Sequence, residues 1–185
     1  AFKKGLQGVA NHPKMGVGVL GAIQNPATAI RLEESSKLGY EVALATGQPE
    51  ANEFADARVG TPTILVVDSK DMKAYSQELF GPIIFVIKTE DTADSIRCAQ
   101  QLAADHGAIT CLAYTTDDET KEVIKEEMED VFVPVSFNLT GAIFVNQHAA
   151  FSDFHVTGGN PAGNASFTNP EYVNKRFVWI GHREV

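Results

Sequence analysis

The chain has 185 residues, of which 44% are hydrophobic and 21% charged, and its formal net charge is −9. This length and composition are typical of globular material with enough chain for one domain and a substantial core. The acidic balance argues against a nucleic-acid partner or an anionic membrane, because either normally requires a clustered basic face. No apolar run approaches the ~18 residues that span a bilayer and no signal-peptide core follows residues 1–4, so we expect a cytoplasmic protein.

Three helices are predicted, and each is bounded by residues that favour helix ends. The first begins at Asn25-Pro26, an N-cap followed by a first-turn proline, and ends at Gly39. The second begins within Thr89–Thr92 and ends at Gly107. The third begins at Asp117–Glu119, where acidic residues suit the positive end of the helix dipole.

Apolar runs at Ile83–Ile87, Ile109–Tyr114 and Ala142–Val145 are expected to be β-strands between these helices. Strands that are this apolar are usually covered on both faces. The alternation of helices and strands therefore predicts an α/β fold, with a parallel sheet flanked by helices and right-handed crossovers. A loop and a strand arm are expected at the C-terminal end.

The chain has two cysteines, Cys98 in a helical pattern and Cys111 in a strand pattern. Two cysteines do not make a disulfide framework, so each is a possible nucleophile. Unactivated cysteine usually packs as a small hydrophobic residue, and we expect both thiols to belong to the core.

The segment Gln77-Glu78-Leu79-Phe80-Gly81-Pro82 places an acidic and an aromatic residue before a Gly-Pro turn and an apolar strand. It resembles the E-x-F-G-P cofactor motif of the aldehyde dehydrogenases. The resemblance implies that Glu78 holds the hydroxyls of a nicotinamide ribose and that Phe80 packs beside the nicotinamide ring of NAD or NADP. A carboxylate can accept hydrogen bonds from two vicinal hydroxyls, and a rigid ring suits a flat heterocycle. The alternative is a strand entered through an ordinary Gly-Pro turn.

Other segments are similar to the same family in order and spacing, so the resemblance covers nearly all of the chain. They are Gly21–Gln24, Pro62–Val67, Ile109–Thr115 and Thr140–Asn146. The resemblance implies that residues 1–150 are part of a catalytic domain whose catalytic cysteine and dinucleotide-binding domain lie upstream. On this reading no catalytic residue lies in the chain, which is inactive by itself. The alternative is a stand-alone binding or assembly module without catalysis.

Residues 151–167 depart from the usual family loop that lines the aldehyde entrance. The sequences F-S-D-F-H and G-N-P-A-G-N-A resemble the phenylacetic acid degradation (PaaN) branch of the family, which implies a differently shaped substrate mouth for a small-molecule aldehyde. The candidate mouth residues are Asp153, Phe154, His155, Asn160 and Asn164. A purely structural loop is the alternative, because such polar side chains commonly bond local backbone. A hydrolytic triad, a phosphate loop and a metal site are each disfavoured, because the surrounding motif that each needs is missing.

Residues 151–185 are interpreted as this mouth loop followed by an oligomerisation arm. Within the arm, Phe177 and Trp179 lie in a short apolar strand pattern. In most aldehyde dehydrogenases the corresponding strand joins subunits, and an unpaired apolar strand would leave edge hydrogen-bonding groups and large side chains in water. We therefore expect a homodimer or a higher homo-oligomer.

Overall fold

The computed structural model describes residues 1–12, 16, 20–49, 56–108, 110–131, 133–140 and 182–184. The chain divides into two compact units, Ala1–Glu90 and Asp91–Val185. No helix in the described residues is both long and apolar enough to cross a membrane.

The described residues of the first unit form helices and one three-stranded sheet. Its elements in chain order are α1 (Phe2–Ala10), α2 (Pro26–Glu34), a 3-10 helix (Ser35–Lys37), β1 (Glu41–Leu44), β2 (Thr63–Asp68), α3 (Met72–Tyr75) and β3 (Ile83–Lys88).

Helix α2 begins and ends where local chemistry predicts. The Asn25 side chain accepts a hydrogen bond from the backbone N–H of Ala27 at 2.9 Å, and Pro26 occupies the first helical position, where no N–H is needed. The chain leaves the following 3-10 helix through Gly39, whose φ of +89° is accessible to glycine at little cost. Leu32 is 2% exposed and provides the buried face of the helix.

Strand β2 is the centre of the sheet, whose order is β1-β2-β3. It pairs in parallel with β3, from Thr63 opposite Ile83 to Asp68 opposite Lys88. It pairs antiparallel with β1, with an irregularity between Val42 and Leu44. A strand on each side pairs the backbone of β2, and most of its side chains are buried on the faces of the sheet. Removing side chains such as Ile64 and Leu65 from water stabilises the fold by about 1.5–3 kcal/mol each.

The described residues of the second unit form α4 (Thr92–His106), β4 (Cys111–Ala113), α5 (Asp118–Glu129), β5 (Val135–Phe137) and β6 (His182–Glu184). Its strands are parallel in the order β4-β5-β6. Side chains from α4, α5 and the strands meet in one core, which includes Ala103, Ala113, Met128, Val133, Val135 and Phe137.

Both long helices of the second unit have acidic N-caps. Asp91 accepts from the backbone N–H of Asp94 at 2.7 Å, and Asp117 accepts from that of Thr120 at 2.8 Å. Each cap satisfies an amide that has no partner within its helix. Helix α4 ends at Gly107, with φ +79°.

The predicted α/β class, with parallel strand pairs and flanking helices, is confirmed. The three predicted helices and the strand Ile83–Ile87 form within a few residues of the expected bounds. The strand expected at residues 109–114 is shorter, at Cys111–Ala113, and β5 was not predicted. The expected strand at residues 142–145 lies outside the described residues.

The described end of the C-terminal arm is β6, which pairs with β5 of the same chain. Phe177 and Trp179 lie outside the described residues, as does the boundary at residue 150, so the division into domain and arm stays a prediction.

Candidate functional site

The loop Gln77–Pro82 joins α3 to β3 and presents both candidate cofactor residues. The Glu78 side chain is exposed, and no described residue hydrogen-bonds or ion-pairs with its carboxylate. Phe80 is 69% exposed, which is unusual for a phenylalanine beside a strand. The structure therefore places an available acceptor and an uncovered aromatic ring two residues apart on one loop.

The backbone of this loop is anchored although its key side chains are in water. Arg31 in α2 donates from Nη1 to the Phe80 carbonyl at 2.7 Å. The Thr63 N–H donates to the Pro82 carbonyl at 3.0 Å, and the Ile83 N–H donates to the Gly81 carbonyl at 2.8 Å. The start of β2 and one turn of α2 thus fix the C-terminal half of the loop.

Gly81 is required by both its conformation and its surroundings. Its φ is +146°, in a region that L side chains rarely adopt. A Cβ atom added there would lie 3.1 Å from Cγ2 of the buried Thr28. The glycine therefore lets the loop pass close to α2, and this brings the Phe80 carbonyl within reach of Arg31.

Gln77 and Leu79 border a cavity of about 290 Å³. Its other lining residues are Leu38, Tyr40, Asp71, Lys73 and Ala74. Glu78 and Phe80 do not line it. Gln77 and Leu79 thus face the cavity, whereas the two candidate cofactor residues, Glu78 and Phe80, are exposed to solvent.

The segment Gly21–Gln24, which precedes α2, is held by Arg58. Arg58 donates from Nε to the Ile23 carbonyl at 3.1 Å and from Nη2 to the Gln24 carbonyl at 2.7 Å. The Ile23 N–H in turn donates to the Arg58 carbonyl at 2.7 Å. This exchange fixes the start of the helix that carries Arg31.

Both cysteines are at least partly covered by neighbouring residues. Cys98 is 3% exposed, as predicted for a core residue. Cys111 is half-buried, and burial raises the pKa of its thiol above the ordinary value of 9.0. A raised pKa lowers the thiolate fraction at neutral pH, and the thiolate is the nucleophile.

The substrate-mouth candidates Asp153, Phe154, His155, Asn160 and Asn164 lie outside the described residues, and their roles stay predictions. Within the described part of the chain, no group of three or more histidine, cysteine, aspartate or glutamate side chains is arranged to hold a metal ion. Among the described residues, Glu78 and Phe80 could hold a cofactor, since a carboxylate with no partner there suits a ribose diol and an exposed ring suits a flat heterocycle.

Comparison with known proteins places the chain in a family. The family model described as "Aldehyde dehydrogenase family" matches residues 7–165. The chain belongs to the aldehyde dehydrogenase family. The crystal structure of an NAD-dependent aldehyde dehydrogenase from Burkholderia multivorans is similar, with a TM-score of 0.72 and 42% sequence identity, over 92% of this chain and 30% of that one.

A second aldehyde dehydrogenase relative is similar over part of the chain. It is a probable acylating methylmalonate-semialdehyde/malonate-semialdehyde dehydrogenase, mitochondrial, from Caenorhabditis elegans, 32% identical over 85 residues. The match covers 45% of this chain and 16% of that relative. The chain thus spans less than a third of the length of either protein.

Arg31 is the site residue that the sequence pattern did not reveal. As a basic residue in the last turn of α2, it has an ordinary explanation in the helix dipole. Its partner Phe80 lies 49 positions away, and no local pattern pairs the two. The only local signal near it is the Asn25-Pro26 helix start, which sets where the turn that carries Arg31 falls.

Proposed function

We propose that this chain forms the nicotinamide-ribose end of the cofactor site of an NAD(P)-dependent aldehyde dehydrogenase, which oxidises an aldehyde to an acid. The observation that carries the proposal is the loop Gln77–Pro82. In a member of this family, it presents an unpaired Glu78 carboxylate and an exposed Phe80 ring on an anchored backbone.

Each residue has a separate task in this proposal. The two Glu78 oxygens accept hydrogen bonds from the vicinal ribose hydroxyls, which fixes the rotation of the sugar. The Phe80 ring packs beside the flat heterocycle and costs little conformational entropy, because few torsions are immobilised. When bound, the cofactor supplies the hydride acceptor, while the protein supplies binding and orientation.

The proposal places no nucleophile on Cys98 or Cys111, because Cys98 is buried and burial raises the pKa of the Cys111 thiol. The catalytic cysteine and the dinucleotide-binding domain are assigned to segments other than this chain. The isolated chain is therefore expected to oxidise no aldehyde.

For the substrate, we propose an aldehyde of phenylacetate or other aromatic catabolism. The support is the sequence of residues 151–167, which differs from the usual family loop and resembles the phenylacetic acid degradation branch. Comparing aromatic and aliphatic aldehydes by kcat/KM in the enzyme that contains this chain ranks these substrate classes. We also propose that the protein is a homodimer or a higher homo-oligomer.

Replacing Glu78 by glutamine tests the cofactor role. In the enzyme that contains this chain, Glu78→Gln should slow the first turnover of NADH formation by about 10- to 100-fold, because a loosely held ribose misplaces the reacting carbon. The affinity for NAD should change less, since one contact is a small part of the binding free energy. Rapid-mixing absorbance gives the first-turnover rate, and calorimetry gives the affinity.

Glu41→Gln is the matched control, because Glu41 is an exposed glutamate of the same unit that pairs with Lys88 at 3.0 Å. It should leave both quantities unchanged. A first-turnover rate in Glu78→Gln equal to that of the wild type would remove Glu78 from the cofactor site.

A further inference from the structure

We propose that Arg31 is a positioning residue for the cofactor loop: by holding the Phe80 carbonyl, it sets where the Glu78 carboxylate and the Phe80 ring stand. The inference rests on the proposed function of Glu78 and Phe80. It concerns how the loop is held and assigns Arg31 no contact with substrate or cofactor.

The contact itself is short and charge-assisted. Arg31 Nη1 lies 2.7 Å from the Phe80 carbonyl oxygen. A guanidinium donor makes such a bond stronger than one between neutral groups. Arg31 itself is half-buried, although its bond to the Phe80 carbonyl is exposed to solvent.

The loop has little else to hold these residues. Because the Glu78 and Phe80 side chains are exposed, side-chain packing contributes little to their position. Among the described residues, no other hydrogen bond reaches the backbone or side chain of Glu78, Leu79 or Phe80. The remaining anchors hold Gly81 and Pro82, one and two residues further along. Loss of the Arg31 bond would therefore free the residues that are proposed to touch the cofactor.

Helix α2, which carries Arg31, is held in place by close packing and by hydrogen bonds at its C-terminal end. The next residue, Leu32, is 2% exposed, and a Cβ atom on Gly60 would lie only 2.7 Å from its Cδ2, so the helix packs closely on the segment before β2. At the end of the helix, Ser35 Oγ lies 2.6 Å from the Leu32 carbonyl oxygen and 3.0 Å from Thr63 Oγ1.

Thr63 contacts both the end of the loop and the residues that follow α2. Its side chain bonds Ser35 after α2, and its backbone N–H holds the Pro82 carbonyl at 3.0 Å. One residue of β2 therefore sets the position of the loop end directly and that of Phe80 through α2 and Arg31. Such a frame can hold side chains in a fixed geometry before a ligand arrives, which is the requirement for an oriented nicotinamide.

The test compares Arg31→Met, which removes all donors, with Arg31→Lys, which keeps a charged donor. In the enzyme without cofactor, Arg31→Met should raise the amide exchange rates of Thr63 and Ile83 by about tenfold, because their N–H groups donate to the loop carbonyls of Pro82 and Gly81; we call these rates the loop exchange. With saturating NAD, its first-turnover rate should fall about tenfold, while the NAD dissociation constant changes by less than about threefold. The anisotropy of bound NADH should fall, and Arg31→Lys should recover part of each effect.

Arg97→Met is the matched control, because Arg97 lies in α4 of the other unit and pairs with Asp94. It should leave loop exchange and turnover unchanged. If Arg31→Met fails to fold, the comparison of Arg31→Lys with the wild type still decides, since positioning predicts intermediate exchange and turnover for the lysine.

The outcomes separate this inference from the proposed function. If Glu78→Gln slows turnover but the Arg31 variants change neither loop exchange nor turnover, the positioning role is wrong. If Arg31→Met weakens NAD binding with no change in loop exchange or in turnover at saturation, Arg31 contacts the cofactor directly and the inference is overturned. If Glu78→Gln has no effect, the proposed function fails. Faster loop exchange in Arg31→Met would then still show that Arg31 holds the loop through the Phe80 carbonyl.

Discussion

At the scale of single residues, Asn138 shows how one side chain can complete the end of a strand pair. It follows β5 with φ +53°, a left-handed conformation that asparagine tolerates better than most residues. Its Oδ1 accepts from the Thr115 N–H at 3.1 Å and its Nδ2 donates to the Thr115 carbonyl at 3.0 Å. The side chain thus gives Thr115, two residues beyond β4, the two backbone bonds that a neighbouring strand would give.

Replacing Asn138 separates its backbone role from its side-chain role. Asn138→Ala should lower the free energy of unfolding by about 2 kcal/mol, because both bonds to Thr115 are lost and alanine is strained at positive φ. Asn138→Gly loses the same bonds without that strain and should recover about 1 kcal/mol of the loss. Chemical denaturation of the chain measures both. Equal stability of the two variants would contradict a backbone role for Asn138.

At the scale of secondary-structure elements, β6 pairs with β5 through backbone hydrogen bonds and contacts α5 through charged side chains. Lys121 contacts Glu184 and also pairs with Asp118 at 3.0 Å, and its side chain is 12% exposed. His182 Nε2 lies 2.7 Å from a Glu129 oxygen. Lys121 begins a run of mixed charges at residues 121–130, and its side chain is mostly covered beside β6.

These contacts predict a pH dependence with a definite sign. The hydrogen bond to Glu184, then that to Asp118, holds the pKa of Lys121 above its ordinary value of 10.5. A raised pKa in the folded state means that the stabilisation is fully present below 10.5 and is lost as pH rises through the raised value. Lys121→Met should therefore be less stable than the wild type at neutral pH, and the difference should shrink above that value. Denaturant titrations at several pH values measure it.

Lys88→Met is the control for this element, because Lys88 and Glu41 form an ion pair whose side chains are 62% and 65% exposed. Exposed pairs contribute little, so this variant should match the wild type at every pH. A Lys121→Met deficit that is constant from neutral pH to well above 10.5 would show that lost packing, and not the charge, causes it.

At the scale of the whole molecule, the proposed property is association into a dimer. The described end of the arm, β6, pairs within its own chain, while the proposed dimer contact lies in the preceding residues 171–180. A strand carrying Phe177 and Trp179 is costly to leave in water, and burial against a second copy removes that cost. We therefore expect the chain to sediment as a dimer.

A double variant, Phe177→Ser with Trp179→Phe, should sediment as a monomer while keeping β6. Since Trp179 is the only tryptophan, its fluorescence in the wild type should shift to the blue as concentration rises and dimers form. A wild-type chain that stays monomeric at high micromolar concentration, with its tryptophan already buried, would overturn the dimer proposal.

The sequence by itself determined the features whose causes lie within a few residues. Asn25, Asp91 and Asp117 cap helices through amides two or three positions away, so the starts of α2, α4 and α5 were predictable. The apolar run after Gly81-Pro82 predicted β3, and the motif before it identified Glu78 and Phe80 as the residues to examine.

Only the tertiary structure decided which distant segments meet. The antiparallel pairing of β1, the return of β6 to β5 and the bond from Arg31 to Phe80 each join parts of the chain whose separation is set by the intervening fold. A local pattern reports which face of an element is apolar, but it does not specify the partner for that face. The partner of Arg31 depends on how α2 packs against the start of β2, and that packing places its guanidinium beside Phe80.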